Sequence, residues 1–287
     1  MPLIDRWTLM LLDGVVQTAG VVVAIAAIIP LIRTGLWRNP LRDTPTPLGE
    51  PDALGMVAIL FGYFMLVALG MSGMQAAQLK VDGSGSHGWH VASLIDLSIK
   101  FALCGPIIWL LARQPLLDTP RLPTARAARL GIACGLAAVP ICMAQLWVVL
   151  QIWSALNPNL EEPVHPVIEA LSQTVWGGWG RLQLAFAAVV VAPLAEELLF
   201  RGLLLNFLMR TLHRPWLAIA ITALAFGMIH TTQPQDVLPL VSLGVILGYV
   251  RVRYNSITLC VFAHGVFNSR TIGLLLLNPE AARDVYS

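Results

Sequence analysis

Six polar side chains sit in the most apolar part of this sequence: Glu196, Glu197, Arg201, His230, His264 and Asn268. They fall within "LAEELLFRG", "FGMIH" and "HGVFN", inside runs rich in Leu, Phe, Val and Ala. An ionisable group in hydrocarbon costs ~2.5–3.5 kcal/mol on insertion scales, so each needs a reason to be there. Glu197 and Arg201 are four residues apart and share a helical face, where the guanidinium compensates the carboxylate. At roughly 100° per residue, Glu196 points away from that pair and can face an interior cavity. His264 and Asn268 repeat the spacing of four, as do Phe226 and His230, with the phenyl ring walling the cavity beside the imidazole.

A glutamate and a histidine around one water can take its proton, and a second histidine with a carboxamide can donate to an oxyanion. That is hydrolysis of a peptide bond without a covalent enzyme intermediate. The same atoms also suit a metal. Glu196, His230 and His264 would form a His₂Glu shell with one position open for water, zinc being the natural ion. Both chemistries stay open, and the metal-free glutamate route is the working expectation.

For these groups to meet, three helices must bring them to one depth. Arg210, Arg214 and Arg253 mark one membrane surface. Glu196 lies 14 residues from Arg210, His230 lies 16 from Arg214 and His264 lies 11 from Arg253. At ~1.5 Å per residue these separations become roughly 21, 24 and 17 Å, one layer near mid-membrane.

Composition supports such a setting. Hydrophobic residues make up 57% of the 287 and charged ones 12%, with a mean hydropathy of +0.74; soluble domains are roughly 45–50% apolar and about 25% charged. The expected fold is therefore an all-α, polytopic integral membrane protein, because period-2 barrel strands are absent. About eight transmembrane helices are expected, over 9–32, 54–78, 91–112, 129–153, 182–209, 215–232, 236–253 and 256–277. Pro- and Gly-rich breaks such as "RNPLRDTPTPLGEPD" and "DGSGSHG" separate them. Residues 1–160 form N-terminal helices of unassigned role, and 166–278 form the core that carries all six polar groups.

The remaining charges have plainer readings. Asp96 and Lys100 can neutralise each other at a spacing of four, while Asp13 and Arg270 are expected to snorkel or hydrate near an interface. The four cysteines lie in apolar segments without ligand spacing and read as small core residues. The stretch from Leu9 to about Ile32 lacks a cleavage-like boundary and reads as a retained anchor. A net charge of +2 without dense basic clusters excludes nucleic acid as a partner. Arg33, Arg38, Arg42, Arg113, Arg121, Arg126, Arg129, Arg210, Arg214, Arg251 and Arg253 gather on one side. They outnumber Arg6, Lys80, Arg181 and Arg283 on the other, which places both termini outside the cytoplasm.

"EELLFR", "FGMIH" and "HGVFN" match, in order, the EExxxR, FxxxH and HxxxN motifs of the CAAX-protease and bacteriocin-processing family. That family comprises intramembrane endopeptidases related to the Ras-converting CAAX prenyl protease. The resemblance covers about the last hundred residues. It implies that Glu196 activates water with His230 beside it, that His264 with Asn268 stabilises the oxyanion, and that Glu197 and Arg201 support them, beside the cavity-walling Phe226. It also implies a peptide or protein substrate within membrane lipid, and a bacterial inner membrane as the setting. Two other classes use the same residues: a non-catalytic peptide-binding or bacteriocin-immunity protein, and a proton-coupled transporter, against which the lack of internal symmetry counts. Serine chemistry has no G-x-S-x-G elbow around Ser84 or Ser86, and no H-E-x-x-H helix is present.

Overall fold

The structure, a computed structural model, describes residues 3–38, 122–156, 178–231 and 233–278, together with parts of 94–108. Every regular element among the described residues is helical. We number them α1 (Arg6–Thr34), α2 (Thr124–Leu156), α3 (the rod Arg181–Leu212), α4 (Pro215–Met228), α5 (Val237–Tyr254) and α6 (Ile257–Leu277). Five helices among the described residues are long and apolar enough to cross a membrane: α1, α2, α3, α5 with its preceding turn from Pro234, and α6.

The expected count of eight is thus met only in part. The span at 54–78 lies outside the described residues, as does half of 91–112, including Asp96. The span expected over 215–232 is shorter than foreseen. Its helix ends at Met228 after 14 residues, which is ~21 Å at 1.5 Å per residue and less than the ~30 Å of hydrocarbon. The chain then turns through a 3₁₀ segment, Pro234–Asp236, into α5. The division expected between 160 and 166 also lies outside the described residues.

Local chemistry sets the helix ends. Asp5 caps α1 by accepting from the Thr8 backbone N–H at 2.9 Å, and Ser256 caps α6 by accepting from that of Leu259 at 3.1 Å. His213 and Asn255 adopt left-handed backbone, φ 53 and 47, and reverse the chain into α4 and α6 through short links.

Packing relies on small residues, as expected where lipid removes the hydrophobic drive between helices. A Cβ at Gly131 would stand 2.7 Å from the Leu259 carbonyl oxygen, and one at Gly135 would clash with that of Ala263. These glycines, four apart, let α2 press on the backbone of α6 one residue from His264. Leu198, Leu199, Leu203, Phe226, Leu243, Leu247, Cys260 and Ala263 fill the core beside this contact. All four cysteines are free, and Cys142 donates to the Pro239 carbonyl oxygen at 3.3 Å, linking α2 to α5.

One expectation is overturned. Asp13 and Arg270 do not snorkel separately. They face each other across α1 and α6, both buried, with Arg270 Nε and Nη2 each 2.7 Å from an Asp13 oxygen. A charge far along the chain removes the need to reach water. The start of α1 and the end of α6 meet: the Leu3 N–H donates to the Leu277 carbonyl at 2.8 Å, and Asn278 Nδ2 donates to that of Ile4 at 3.0 Å.

Prediction: Gly135→Val forces a side chain against the Ala263 carbonyl and destabilises the protein by about 1–3 kcal/mol. Thermal unfolding in detergent should show a lowered midpoint. A wild-type midpoint would mean that α2 and α6 are not in tight contact at Gly135.

Candidate functional site

The site is organised by an irregular stretch of α3. Between Gly178 and Leu212 the rod passes through two π-helical segments, Ala187–Val191 and Leu198–Leu204, which flank the short α-helical piece Ala192–Glu197. The Ala192 N–H donates to the Ala187 carbonyl and the Leu205 N–H to that of Phe200, each five residues back. Such π turns alter the angular spacing of side chains and recur at functional sites. They bracket Glu196 and Glu197.

Glu197 is fully buried. Its Oε1 accepts from Arg201 Nη1 at 2.8 Å and from His264 Nδ1 at 2.9 Å. The expected Glu197–Arg201 pair is thus present, with His264 joined to it from α6. A carboxylate only accepts, so Nδ1 of His264 carries the proton of this bond. The ring's other nitrogen, Nε2, lies 3.8 Å from Glu196 Oε2. One imidazole therefore stands between two carboxylates. Glu197 Oε2 is buried and has no hydrogen-bond partner among the described residues.

Arg201 holds more than its glutamate. Nη2 donates to the Gly244 carbonyl of α5 at 3.3 Å, its Cζ lies 4.6 Å from the centroid of the Phe226 ring, and its own carbonyl accepts from Arg251 Nε at 3.3 Å. A cation over an aromatic face gains from the ring quadrupole, more so when desolvated.

Phe226 is fully buried and meets both histidines edge to face, with centroid separations of 5.3 Å to His230 and 5.6 Å to His264. Its ring thus lies in edge contact with both imidazoles. His230 sits just beyond the end of α4, and its Nδ1 is 3.0 Å from the Phe226 carbonyl oxygen. A carbonyl only accepts, so Nδ1 donates and Nε2 keeps its lone pair in the neutral ring. The helix gives way to a turn at His230. Asp236, at the end of the same turn, lies within electrostatic range of His230.

Asn268 goes elsewhere. Its Nδ2 donates to the Ala188 carbonyl in the first π segment at 2.8 Å. Gly265 makes this approach possible, because a Cβ there would stand 2.7 Å from the Val189 carbonyl oxygen. Of the two amide hydrogens on Nδ2, one is engaged in this bond. The structure therefore brings Glu196, Glu197, Arg201 and His264 together, sets His230 on the same phenyl ring, and ties Asn268 to the backbone of α3. The carbonyls of Ala188 and Gly244 were not foreseen, since spacing reveals nothing about which distant backbone a side chain meets.

The His₂Glu set does not gather in ligand geometry. No group of three or more His, Cys, Asp or Glu side chains among the described residues is arranged to hold a metal ion.

Residues 178–270 match the family model described as type II CAAX prenyl endopeptidase Rce1-like. The resemblance carried by the three motifs is borne out by this match, which spans all of them. An uncharacterised 24.3 kDa protein of Escherichia coli is 40% identical over 90 residues, 30% of this chain and 40% of its own length. The UPF0177 protein YbdI of Lactococcus lactis subsp. lactis (strain IL1403) is 31% identical over 80 residues, 28% of this chain and 42% of its own. The chain thus spans about two fifths of the length of the curated relatives it matches. No solved structure matches.

Prediction: Arg201→Met alone strands Glu197 without its cation and costs about 3–5 kcal/mol, whereas Glu197→Gln/Arg201→Met removes both charges and recovers most of it. Unfolding midpoints of the two variants in detergent check this. Equal losses would deny the pair its mutual compensation.

Proposed function

We propose that this protein is an intramembrane endopeptidase that hydrolyses a peptide bond of a membrane-associated peptide or protein. The observation that carries the reading is the imidazole of His264 held between the carboxylates of Glu197, at 2.9 Å, and Glu196, at 3.8 Å. Position separates the two glutamates. Glu197 is closed off by its cation and the imidazole, while the side chain of Glu196 keeps 15% of its surface exposed.

In this reading a water bound between Glu196 and the Nε2 lone pair of His230 attacks the scissile carbonyl. Glu196 takes one proton from the water as the new C–O bond forms. The carbonyl's electron pair moves to its oxygen, and His264, in its doubly protonated form, donates there through Nε2. The unengaged amide hydrogen of Asn268 is the second donor. When the tetrahedral species collapses, the C–N bond breaks and Glu196 returns its proton to the leaving amine. No step is routed through a metal; zinc on Glu196, His230 and His264 is the alternative that chelation tests.

The substrate enters as an extended segment, because a helical backbone has its carbonyls committed to internal bonds. The surroundings are lipid, and the proposed setting is a bacterial inner membrane with both termini outside the cytoplasm. The juxtaposed ends of α1 and α6 favour termini on one side. Residues 1–160 serve as a frame and 166–278 as the catalytic core. The full set of eight helices completes the crossing pattern.

Prediction: Glu196→Gln keeps the shape of the side chain and removes its basicity, so cleavage of a diverse peptide library should fall by about 10²–10⁴-fold while the unfolding midpoint is kept. Protection of cells from a toxic peptide that survives this substitution would favour a sequestering role instead.

Prediction: cleavage should persist in the presence of a strong chelator. Loss on chelation that zinc reverses would replace the glutamate route with the His₂Glu one.

A further inference from the structure

The family match ends at Arg270, and the carboxylate that Arg270 grips lies outside it, on the first helix. We propose that Asp13 is a positioning residue: through Arg270 it sets the axial register of α6, the helix that carries His264 and Asn268. The activity arm of this proposal rests on the peptidase reading given above.

The contact is strong and specific. Arg270 Nε lies 2.7 Å from Asp13 Oδ1, and Nη2 lies 2.7 Å from Oδ2. This is the two-point fork that fixes direction as well as distance. Gln17 Nε2 donates to Asp13 Oδ2 at 2.9 Å, and Arg270 Nη1 approaches the Met143 sulfur of α2 at 2.9 Å. Both charged residues are buried. In hydrocarbon no water can substitute for a lost partner, so the pair resists sliding in a way that apolar contacts do not.

Register matters here because of what lies nearby on α6. Asn268 precedes Arg270 by two residues, ~3 Å along the axis, and its amide bond to Ala188 spans 2.8 Å. Gly265 faces the Val189 carbonyl with no room for a side chain. A shift of α6 by one residue, ~1.5 Å, would break the amide bond and move His264 off Glu197. The backbone bond between Leu3 and Leu277 and the Asn278 bond to Ile4 add a second grip beyond the ion pair. The first helix is therefore a member of the site's frame as well as an anchor in lipid.

The experiment uses the full chain in lipid nanodiscs, comparing wild type with Asp13→Leu/Arg270→Met. Exchanging a buried ion pair for apolar residues of similar volume is often neutral or stabilising, so this variant removes the register device without leaving a lone charge. The expected result is an unfolding midpoint at or above wild type, kcat lowered at least about tenfold and KM within about twofold. Wild-type kcat in the folded double variant would overturn the proposal, and so would a change confined to KM. An arm independent of cleavage places spin labels at Val190→Cys on α3 and Phe262→Cys on α6, both exposed positions. A distance distribution that broadens or shifts in the double variant supports the proposal, and an unaltered one overturns it. If no peptide is ever cleaved, the peptidase reading fails and the spin-label arm alone decides on Asp13. Should Asp13→Leu/Arg270→Met not fold, Asp13→Glu takes its place. It keeps the charge and adds one methylene, and is expected to lower kcat with little change in midpoint; an unchanged kcat overturns the proposal.

Discussion

A charge inside hydrocarbon must be closed by the protein itself, and in this molecule the closing partners come from different helices. Arg201 shows how far this reaches. It pairs with Glu197 on its own helix, donates to the Gly244 carbonyl of α5 and lies over the Phe226 ring of α4, and through Glu197 it reaches His264 of α6. One buried cation thus ties four helices together. Removing water makes each of those bonds hard to exchange, so compensating the charge and arranging the helices are a single problem with a single solution. The Asp13–Arg270 pair repeats the principle at the other edge of α6 and recruits α1.

Close backbone approach is the second requirement, and it demands both small residues and irregular turns. Gly131 and Gly135 bring α2 against α6, while Gly265 brings α6 against the first π segment of α3. A π turn departs from the bonding of four residues back, and Asn268 accordingly meets a carbonyl, that of Ala188, in such a segment. The amide is thereby oriented by the same irregularity that precedes Glu196. A regular helix through 187–204 would place the two glutamates at different angles relative to Asn268 and His264.

What the sequence reveals follows from the range of each interaction. Spacing of four marks the Glu197–Arg201 pair, because helix geometry brings such residues together, and it marks the Phe226–His230 contact even though the helix gives way to a turn before His230. Hydropathy marks the long helices, since the thickness of hydrocarbon sets their length. The partner of Arg270 is 257 positions away, and no local pattern distinguishes a buried pair of that kind from two charges that snorkel. The early end of α4 is similarly hidden. "FGMIHTTQ" keeps an apolar character up to His230, and the chain passes into the 3₁₀ segment that opens at Pro234. The expected helical geometry of His264 and Asn268 places them side by side, yet each finds a different distant partner, one a carboxylate and one a carbonyl.

Two adjacent glutamates in one helix are the least expected feature of such a sequence, and the structure gives them opposite surroundings. Glu197 has both a guanidinium and an imidazole on one oxygen, so its charge is spent inside the protein. Glu196, turned away by about 100°, retains an exposed edge and a looser contact of 3.8 Å with the same imidazole. The two short charge-assisted bonds to Arg201 Nη1 and His264 Nδ1 fix both the position and the direction of the Glu197 carboxylate. Burying Glu197 against Arg201 and His264 holds that imidazole in place, and the adjacent Glu196 is left with the partly exposed side chain.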